Sequence, residues 1–397
     1  MRQLNDYINI ITIFMIDFST LIERDIENIL LKKIKPGKVL ILTGARRVGK
    51  TILLKQILNL VDMPKMMLNG EDQADQLLLE NRTVENYKSM IGNTKLLVID
   101  EAQKIPDIGL KLKLMVDEIE GVSIIASGSS AFDLYNKTGE PLTGRKFTYN
   151  VFPFSENEFY KIEDQKRSSE RLKQSLIYGN YPEVTLLDDL DDKREYLREI
   201  VNSYLLKDIL IFDNIKYSTK IFALLRNIAY QIGQTVSYQE LGQKLGMSKN
   251  TVEKYLDLLS KVFVVYKVEG FSSNLRKEIT KSSRWYFYDN GVRNAIISNF
   301  SPIISRNDIG MLWENYMAAE RRKYQHNNRM SVNNYFWRTY DKQEIDMIEE
   351  RDGKLYGCEF KWSINNNKPP AAWLKAYPSA KYNVYNQFNY KDWVVNK

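Results

Sequence analysis

One short segment constrains the fold of this chain more than any other. It reads Gly44-Ala-Arg-Arg-Val-Gly49-Lys50-Thr51 and lies between an apolar strand, residues 39–42, and a helix predicted over residues 50–60. Glycine lets such a loop wrap so that successive backbone N–H groups point at an anion, and the helix N-terminus adds a favourable dipole. The order strand, glycine-rich loop, helix predicts an α/β fold built around a phosphate-binding loop.

The loop residues have separate predicted roles. The Lys50 ammonium reaches the β- and γ-phosphate oxygens of a nucleoside triphosphate, and the Thr51 hydroxyl ligates Mg²⁺. The backbone of the loop and of the first helical turn would surround the phosphates. The predicted nucleotide-binding residues are Gly44, Ala45, Arg46, Arg47, Val48, Gly49, Lys50, Thr51 and Ile52.

A second motif contains two acids that are expected to lie beside the phosphate-binding loop. Four apolar residues, 96–99, form a strand, and Asp100 and Glu101 follow at its carboxyl end, where ligands bind in open α/β sheets. Asp100 is predicted to hold Mg²⁺ through water, and Glu101 to orient or deprotonate the attacking water. The alternative is a pair of acids that only caps a helix.

Two further residues are candidates for the same site. Ser127 follows an apolar strand at 122–126 and is predicted to sense the γ-phosphate, unless it only forms a turn that caps the next helix. Arg145, in Leu142-Thr-Gly-Arg145, is predicted to stabilise transition-state charge either in cis or in trans. Short apolar strands that alternate with helices predict a parallel sheet covered on both faces. An earlier helix is predicted over residues 19–34, capped by Ser19 or Thr20.

Residues 237–259 have helix-turn-helix spacing. A helix over 237–245 is followed by the turn Gly246-Met247 and by a second helix over 248–259, which Ser248 caps. A strand over 262–268, with Arg276 and Lys277 beyond it, would form a wing. Residues 243–284 contain nine Lys/Arg against four Asp/Glu, which gives a local charge of +5. Residues 237–284 are therefore a candidate DNA-binding surface, although an inert packing module fits the same pattern.

The C-terminal part contains a hairpin signal at Asp352-Gly353. If this pair forms the turn, facing residues have numbers that sum to 705, so Asp346 lies opposite Glu359, and Lys361 shares the face of Glu359. Two facing carboxylates repel unless a divalent cation lies between them, and a neighbouring lysine would then activate water. The competing interpretation is a surface ion pair between Lys361 and Glu344. Aromatic residues of this region are predicted to belong to the core: Tyr335, Phe336, Trp337, Trp362 and Trp373.

The acid–acid–lysine set resembles the PD-(D/E)XK nuclease core, in which Glu314 matches a preceding helical glutamate and a further metal ligand. The segments GARRVGKT, LLVIDEAQ, IIASGSSA, PLTGR, VFPFSENEF, YGNYPEV and YLLKDI resemble a large prokaryotic family of AAA-type ATPases with a C-terminal domain of uncharacterised function. The resemblance implies ATP with Mg²⁺. It also implies an N-terminal extension (1–18), an ATPase core (19–157), a helical lid (158–215), a winged helix (216–290) and a nuclease-like α+β domain (291–397).

The composition limits which covalent links, metal sites and catalytic mechanisms the chain can have. The chain has one cysteine, Cys358, and one histidine, His326, so disulfides, zinc sites and histidine-dependent nucleophilic catalysis have almost nothing to be built from. A net charge of +7 is modest, and no segment predicts a membrane span or a signal peptide, so a cytoplasmic protein is expected. Three functions remain open. The first is an ATP-dependent switch acting on DNA, with or without cleavage, and the second is an ATP-gated regulator whose C-terminal domain docks a protein partner. The third is an ATP-dependent transcription factor, which would require sequence-selective DNA binding by residues 248–259.

Overall fold

The computed structural model describes residues 22–128, 142–205, 218–272, 283–364 and 368–396. The predicted N-terminal extension, the proposed caps Ser19 and Thr20, and the wing residues Arg276 and Lys277 lie outside these ranges. Among the described residues, no helix combines the length and the apolar character that crossing a bilayer requires.

The first sheet has five parallel strands in the order β2-β3-β4-β1-β5. Their bounds are β1 Val39–Thr43, β2 Lys65–Asn69, β3 Leu96–Asp100, β4 Ser123–Gly128 and β5 Lys146–Asn150. All residues of β1, β3 and β4 are buried. The strands predicted over residues 39–42, 96–99 and 122–126 are confirmed in position, and each ends one or two residues beyond its predicted end.

Helices cover both faces of this sheet. Alternate residues of β1 belong to different hydrophobic clusters: Leu40 and Leu42 pack in one cluster, and Val39 and Ile41 pack in the other. Such two-sided burial explains why these strands are continuously apolar rather than alternating. The covering helices are α1 Glu27–Lys33, α2 Lys50–Leu60, α3 Gln73–Leu78, α4 Val84–Ile91 and α5 Ile108–Glu118.

The helix predicted over residues 19–34 is shorter than expected. In the described part of the chain it begins only at Glu27, after an irregular segment and a turn over residues 22–26. The physical reason is Arg24, whose guanidinium donates to the carbonyl oxygens of Val48 and Phe152 and is thereby drawn into the ATPase core. Hydrophobic spacing could not reveal this use of a charged residue.

A helical region follows the sheet. It comprises α6 Glu156–Tyr160, α7 Gln165–Tyr178, α8 Pro182–Leu186, α9 Leu190–Glu199, a π-helical segment Ile200–Leu205 and α10 Ser218–Tyr230. The boundary predicted between residues 157 and 158 falls inside α6. Glu158 completes a capping box with Ser155 and also accepts from Arg24, so it belongs to the core and not to a separate lid.

The helix-turn-helix spacing is found as predicted. Helix α11 Tyr238–Leu245 is capped by Ser237, and Gly246, with a φ of 61°, ends it in the left-handed conformation. Helix α12 Lys249–Lys261 is capped by Ser248, and its buried stripe includes Val252 and Leu256. The strand predicted from residue 262 begins later, as β7 Val265–Gly270, because Val262 instead caps α12.

The second sheet has seven strands and joins two regions that the sequence separated. Its order is β12-β11-β10-β9-β7-β8-β6. Strand β7 pairs with β8 antiparallel and with β9 parallel, so the boundary predicted at residue 290 divides one continuous sheet. The remaining strands are β6 Thr235–Val236, β8 Ser283–Phe287, β9 Asn333–Arg338, β10 Glu344–Arg351, β11 Lys354–Phe360 and β12 Lys381–Tyr385.

Four helices pack around this second sheet: α13 Asn290–Ile296, α14 Ile309–Asn327, α15 Ala371–Ala376 and α16 Lys391–Val394. The longest, α14, has 19 residues and spans about 27 Å at about 1.5 Å per residue. One hydrophobic cluster runs from Ile26 to Val395 and includes residues of both sheets. The C-terminal region therefore packs directly on the first sheet and its helices.

Candidate nucleotide site and C-terminal acidic cluster

The glycine-rich loop leaves β1 at Thr43 and enters α2 at Lys50. Gly44 lies against the backbone of Val151, where a Cβ would overlap the carbonyl oxygen. Arg47 and Gly49 have φ values of 64° and 93°, and such left-handed residues turn backbone N–H groups toward a common centre. The loop therefore has the concave shape that a phosphate chain requires.

At this loop the lysine bonds to backbone carbonyl oxygens, and two hydroxyl groups bond to the acid that ends β3. Lys50 Nζ donates to the carbonyl oxygens of Gly44 and Ala45 at 3.0 and 2.9 Å, and the residue is 5% exposed. Thr51 Oγ1 donates to Asp100 Oδ2 at 2.6 Å. Ser127 Oγ donates to the other oxygen, Asp100 Oδ1. A hydroxyl and a carboxylate in contact are the protein ligands that Mg²⁺ uses beside triphosphates, so these residues fit MgATP.

Glu101 has a backbone conformation that sets it apart. Its φ is 48° and its ψ is 40°, a left-handed geometry that is uncommon outside glycine. Its backbone N–H donates to Ser127 Oγ at 3.1 Å, and its Oε2 accepts from Gln103 Nε2 at 2.5 Å. Gly70 makes this turn possible, because a Cβ there would overlap the Glu101 carbonyl oxygen. The fold thus places a second acid beside Asp100 at the carboxyl edge of the sheet.

Arg145 lies at the opposite edge of the same sheet. It directly precedes β5, and its carbonyl oxygen accepts from Val39 N at the start of β1. Four residue steps of β5, about 13 Å, separate this end from the loop. Its Nε is paired with Asp117 at 2.5 Å. The structure therefore does not bring Arg145 to the loop of its own chain, and a role for it in cis or in trans stays a prediction.

The structure adds Arg24, which the sequence patterns did not reveal. Its side chain is 7% exposed and donates through Nε to Glu158 Oε1 at 2.9 Å. Its NH1 donates to Val48 O at 2.9 Å and its NH2 to Phe152 O at 2.5 Å. A buried arginine thereby fixes a carbonyl of the phosphate loop to the segment behind it. No sequence signal marks this contact, which depends on residues far apart in the chain.

The C-terminal hairpin has the predicted register. Facing pairs run from Arg351 with Lys354 to Met347 with Cys358, and each pair sums to 705. Asp352 and Gly353 both have positive φ, 50° and 69°, as the predicted two-residue turn requires. The last pair of this ladder, Met347 with Cys358, adjoins Asp346 and Glu359, and Asp346 Oδ2 accepts from Phe360 N at 2.8 Å.

Two of the predicted metal ligands, Glu314 and Asp346, lie beside an arginine. Arg284 lies 3.3 Å from Glu314 Oε1, 2.9 Å from Glu344 Oε2 and 3.8 Å from Asp346 Oδ1, and is 3% exposed. Lys361 pairs with Glu359 at 2.6 Å. The competing prediction of an ion pair between Lys361 and Glu344 is therefore wrong, because Glu344 forms its ion pair with Arg284. Within the described ranges, no three His, Cys, Asp or Glu residues form a group that could hold a metal ion.

Burial shifts the protonation of these acids. It raises the pKa of Glu314 to about 8, with the neighbouring Asp346 charge as the next cause. Burial, followed by the Glu359 charge, raises the pKa of Asp346 to about 6. Both shifts favour the protonated form of these two carboxyls, and the nearby Arg284 guanidinium opposes both shifts.

Most of the predicted core aromatics are confirmed. Phe336, Trp337 and Trp373 are buried, while Tyr335 and Trp362 are half-buried and pack against the same clusters. Four polar residues of α12 are exposed: Lys249, Asn250, Glu253 and Lys254.

A glycine-rich loop after the first strand of a parallel sheet, and a loop threonine bonded to an acid that ends a neighbouring strand, define a P-loop ATPase domain. Comparisons with known proteins agree with this class. Residues 36–160 match the family model described as AAA domain. Residues 169–302 match a domain of unknown function, DUF8612, and residues 309–391 match another, DUF4143.

Full-length relatives extend the similarity beyond the ATPase domain. An uncharacterised protein of Methanocaldococcus jannaschii is 27% identical over 387 residues, covering 92% of this chain and 83% of the relative. One of Mycobacterium tuberculosis is 24% identical over 341 residues, covering 85% and 73%. A solved structure, the Walker-type ATPase PABY2304 of Pyrococcus abyssi, matches with a TM-score of 0.47 and 17% identity over 70% of this chain and 97% of that one.

Proposed function

We propose that this chain hydrolyses ATP and uses the nucleotide cycle as a conformational switch. The observation that carries the proposal is the assembly of Lys50, Thr51, Asp100 and Ser127 around one loop, with Glu101 beside them. These groups come from the carboxyl ends of two strands and from the first turn of one helix, which is the arrangement that phosphoryl transfer requires.

Each residue has a defined task in this proposal. Bound Mg²⁺ would neutralise charge on the β- and γ-phosphates. The loop N–H groups and Lys50 bind the phosphate oxygens, while Thr51 and Asp100 are the residues that would hold the ion. Ser127 fixes the orientation of Asp100 through its hydroxyl. Glu101 orients the attacking water and accepts its proton.

Two variants separate binding from hydrolysis. Lys50→Ala should abolish binding of a fluorescent ATP analogue, and the exposed-lysine control Lys88→Ala should leave it unchanged. Glu101→Gln should bind with near wild-type affinity while phosphate release falls by roughly 100-fold or more, the usual contribution of a general base. Wild-type turnover in Glu101→Gln would remove Glu101 from the mechanism.

DNA is proposed as one target of the switch, through residues 237–284 and the C-terminal domain. The proposal is supported by exposed Lys249 and Lys254 on the second helix of the helix-turn-helix. Duplex DNA binding by fluorescence anisotropy should weaken in a Lys249→Glu/Lys254→Glu variant, and the salt slope should become shallower by about 0.9 per lost phosphate contact. Lys88→Glu makes half of that charge change at an exposed site elsewhere and is the control. Equal binding by all three proteins would refute this surface.

A second candidate function is favoured by Arg284. Its guanidinium already supplies positive charge to Asp346 and Glu344, so the nuclease-like region is proposed as a silent module that docks a protein partner. Plasmid and single-stranded DNA incubated with Mg²⁺ or Mn²⁺, with and without ATP, should both remain intact while ATP is hydrolysed. Metal-dependent cleavage that disappears in Asp346→Ala would instead establish a nuclease and overturn this candidate. Dependence of that cleavage on Lys50 would further show that the two sites are coupled.

A further inference from the structure

The segment directly behind the phosphate loop, residues 150–154, lies between the ATPase core and helix α14. On its core side, Val151 N donates to Thr43 O at 2.7 Å, and Thr43 Oγ1 donates to Asn150 Oδ1 at 2.8 Å. Gly44 packs on the backbone of Val151. The position of this segment therefore sets the position at which the loop begins.

On its other side, the same segment is bound by side chains of α14. His326 Nε2 accepts from the backbone N–H of Asn150 at 2.9 Å. The imidazole also packs edge-on against the Phe152 ring, at a centroid distance of 5.2 Å and an angle of 89°. Three residues earlier on the helix, Lys323 Nζ donates to Phe154 O at 2.9 Å.

The imidazole has to be neutral to make this bond. A backbone N–H can only donate, so Nε2 must carry the lone pair and Nδ1 the proton. Burial, and then the nearby charges of Arg329 and Arg322, lower the pKa of His326 to about 4. The acceptor is thus available throughout the neutral range. Two hydrogen bonds, through Asn150, connect it to the residue that precedes the loop.

We infer that His326, contributed by the C-terminal region, is a positioning residue of the nucleotide site. The loop of one region is held at its starting point by a helix of another, so the ATPase domain is incomplete without α14. Helix α14 also contains Glu314, which Arg284 and Tyr286 contact in the second sheet. The inference rests on the proposed ATP hydrolysis and names a route by which the C-terminal region regulates it.

Three variants of the full chain test the role. Loss of a buried acceptor in His326→Leu should raise the KM for MgATP about tenfold, with a smaller change in kcat. His326→Gln offers an amide oxygen to Asn150 N and should restore most of the affinity. The control, Gln325→Leu, removes a buried neighbour whose bonds go to Glu349 and Asn334 within the C-terminal region, so its KM should stay at the wild-type value.

The single histidine also provides a direct probe. Protein labelled with ¹⁵N-histidine gives one set of imidazole signals, since the chain has one His. MgADP should shift these signals in wild type and leave them unmoved in Lys50→Ala. If wild type binds MgADP but its imidazole signals stay fixed and His326→Leu keeps the wild-type KM, the positioning role is refuted while the ATPase proposal stands. If wild type binds no nucleotide, the proposed function fails and the inference falls with it.

Discussion

Replacing Arg24 should damage both the stability of the fold and the affinity for nucleotide. Its guanidinium makes three buried bonds, to Glu158, Val48 O and Phe152 O, between 2.5 and 2.9 Å. Glu158 is 2% exposed, so Arg24→Ala leaves a carboxylate in the interior without its countercharge. Breaking one side of a buried ion pair costs about 3–5 kcal/mol of the free energy of unfolding. Arg24→Lys keeps the charge but loses the planar set of guanidinium donors, and it should lower the free energy of unfolding by about 1–3 kcal/mol.

Urea denaturation followed by tryptophan fluorescence measures these differences. Arg167→Ala is the matched control, because its pair with Asp164 is 3.8 Å apart with side chains 78% and 65% exposed, and should change stability by less than about 0.5 kcal/mol. If Arg24→Ala is destabilising because the buried Glu158 carboxylate loses its countercharge, adding Glu158→Gln should recover about 1–2 kcal/mol of the lost free energy of unfolding. Folded Arg24→Lys protein should also show a raised KM for MgATP, since the Val48 carbonyl is no longer fixed. A loss below about 1 kcal/mol in Arg24→Ala, or no recovery in the double variant, would refute the reasoning.

Three other outcomes are expected. Gly44→Ala should abolish nucleotide binding, because its Cβ would overlap the Val151 carbonyl, whereas Gly310→Ala meets no atom within 4 Å and should bind normally in the same titration. His326→Gln should flatten the pH dependence of stability: the lowered pKa means that the unfolded state binds more protons between pH 4 and 6.5, so wild type loses up to about 3 kcal/mol as pH falls through that window. Denaturant titrations at pH 4.5 and 7 measure this difference. An equal loss of unfolding free energy between the two pH values in both proteins would contradict the prediction. Arg145→Ala should leave the nucleotide affinity of the dilute chain unchanged, because the residue lies at the far edge of the sheet; weaker binding at nanomolar protein would show that it reaches the site in cis.

The C-terminal cluster shows which contacts can be predicted from the position of a turn in the sequence. The turn at Asp352-Gly353 fixed the hairpin register, and register fixed which residues face each other. The partner of Lys361 could not be obtained in this way. Arg284 is on a strand that is distant in sequence, and its insertion beside Asp346 and Glu344 changes the pairing of the whole cluster.

The nucleotide loop and its acid were readable from the chain because they obey local rules. A glycine-rich turn between strand and helix forms wherever it occurs, and an acid after an apolar strand must lie at the carboxyl edge of a parallel sheet. Thr51 and Asp100 therefore meet as expected. Capping serines and the helix-turn-helix followed from the same kind of local pattern.

Tertiary structure alone decided what surrounds the site. Arg24 lies 134 residues from Glu158 in sequence, and His326 lies 176 residues from Asn150. Neither contact has a periodicity or a motif, because each depends on how segments that are distant in sequence pack together. Strand β5 likewise placed Arg145 at the far edge of the sheet, although its sequence neighbours indicated a catalytic role. Sequence determined the elements and the groups that one strand or turn aligns, whereas long-range packing determined which charged groups are buried together.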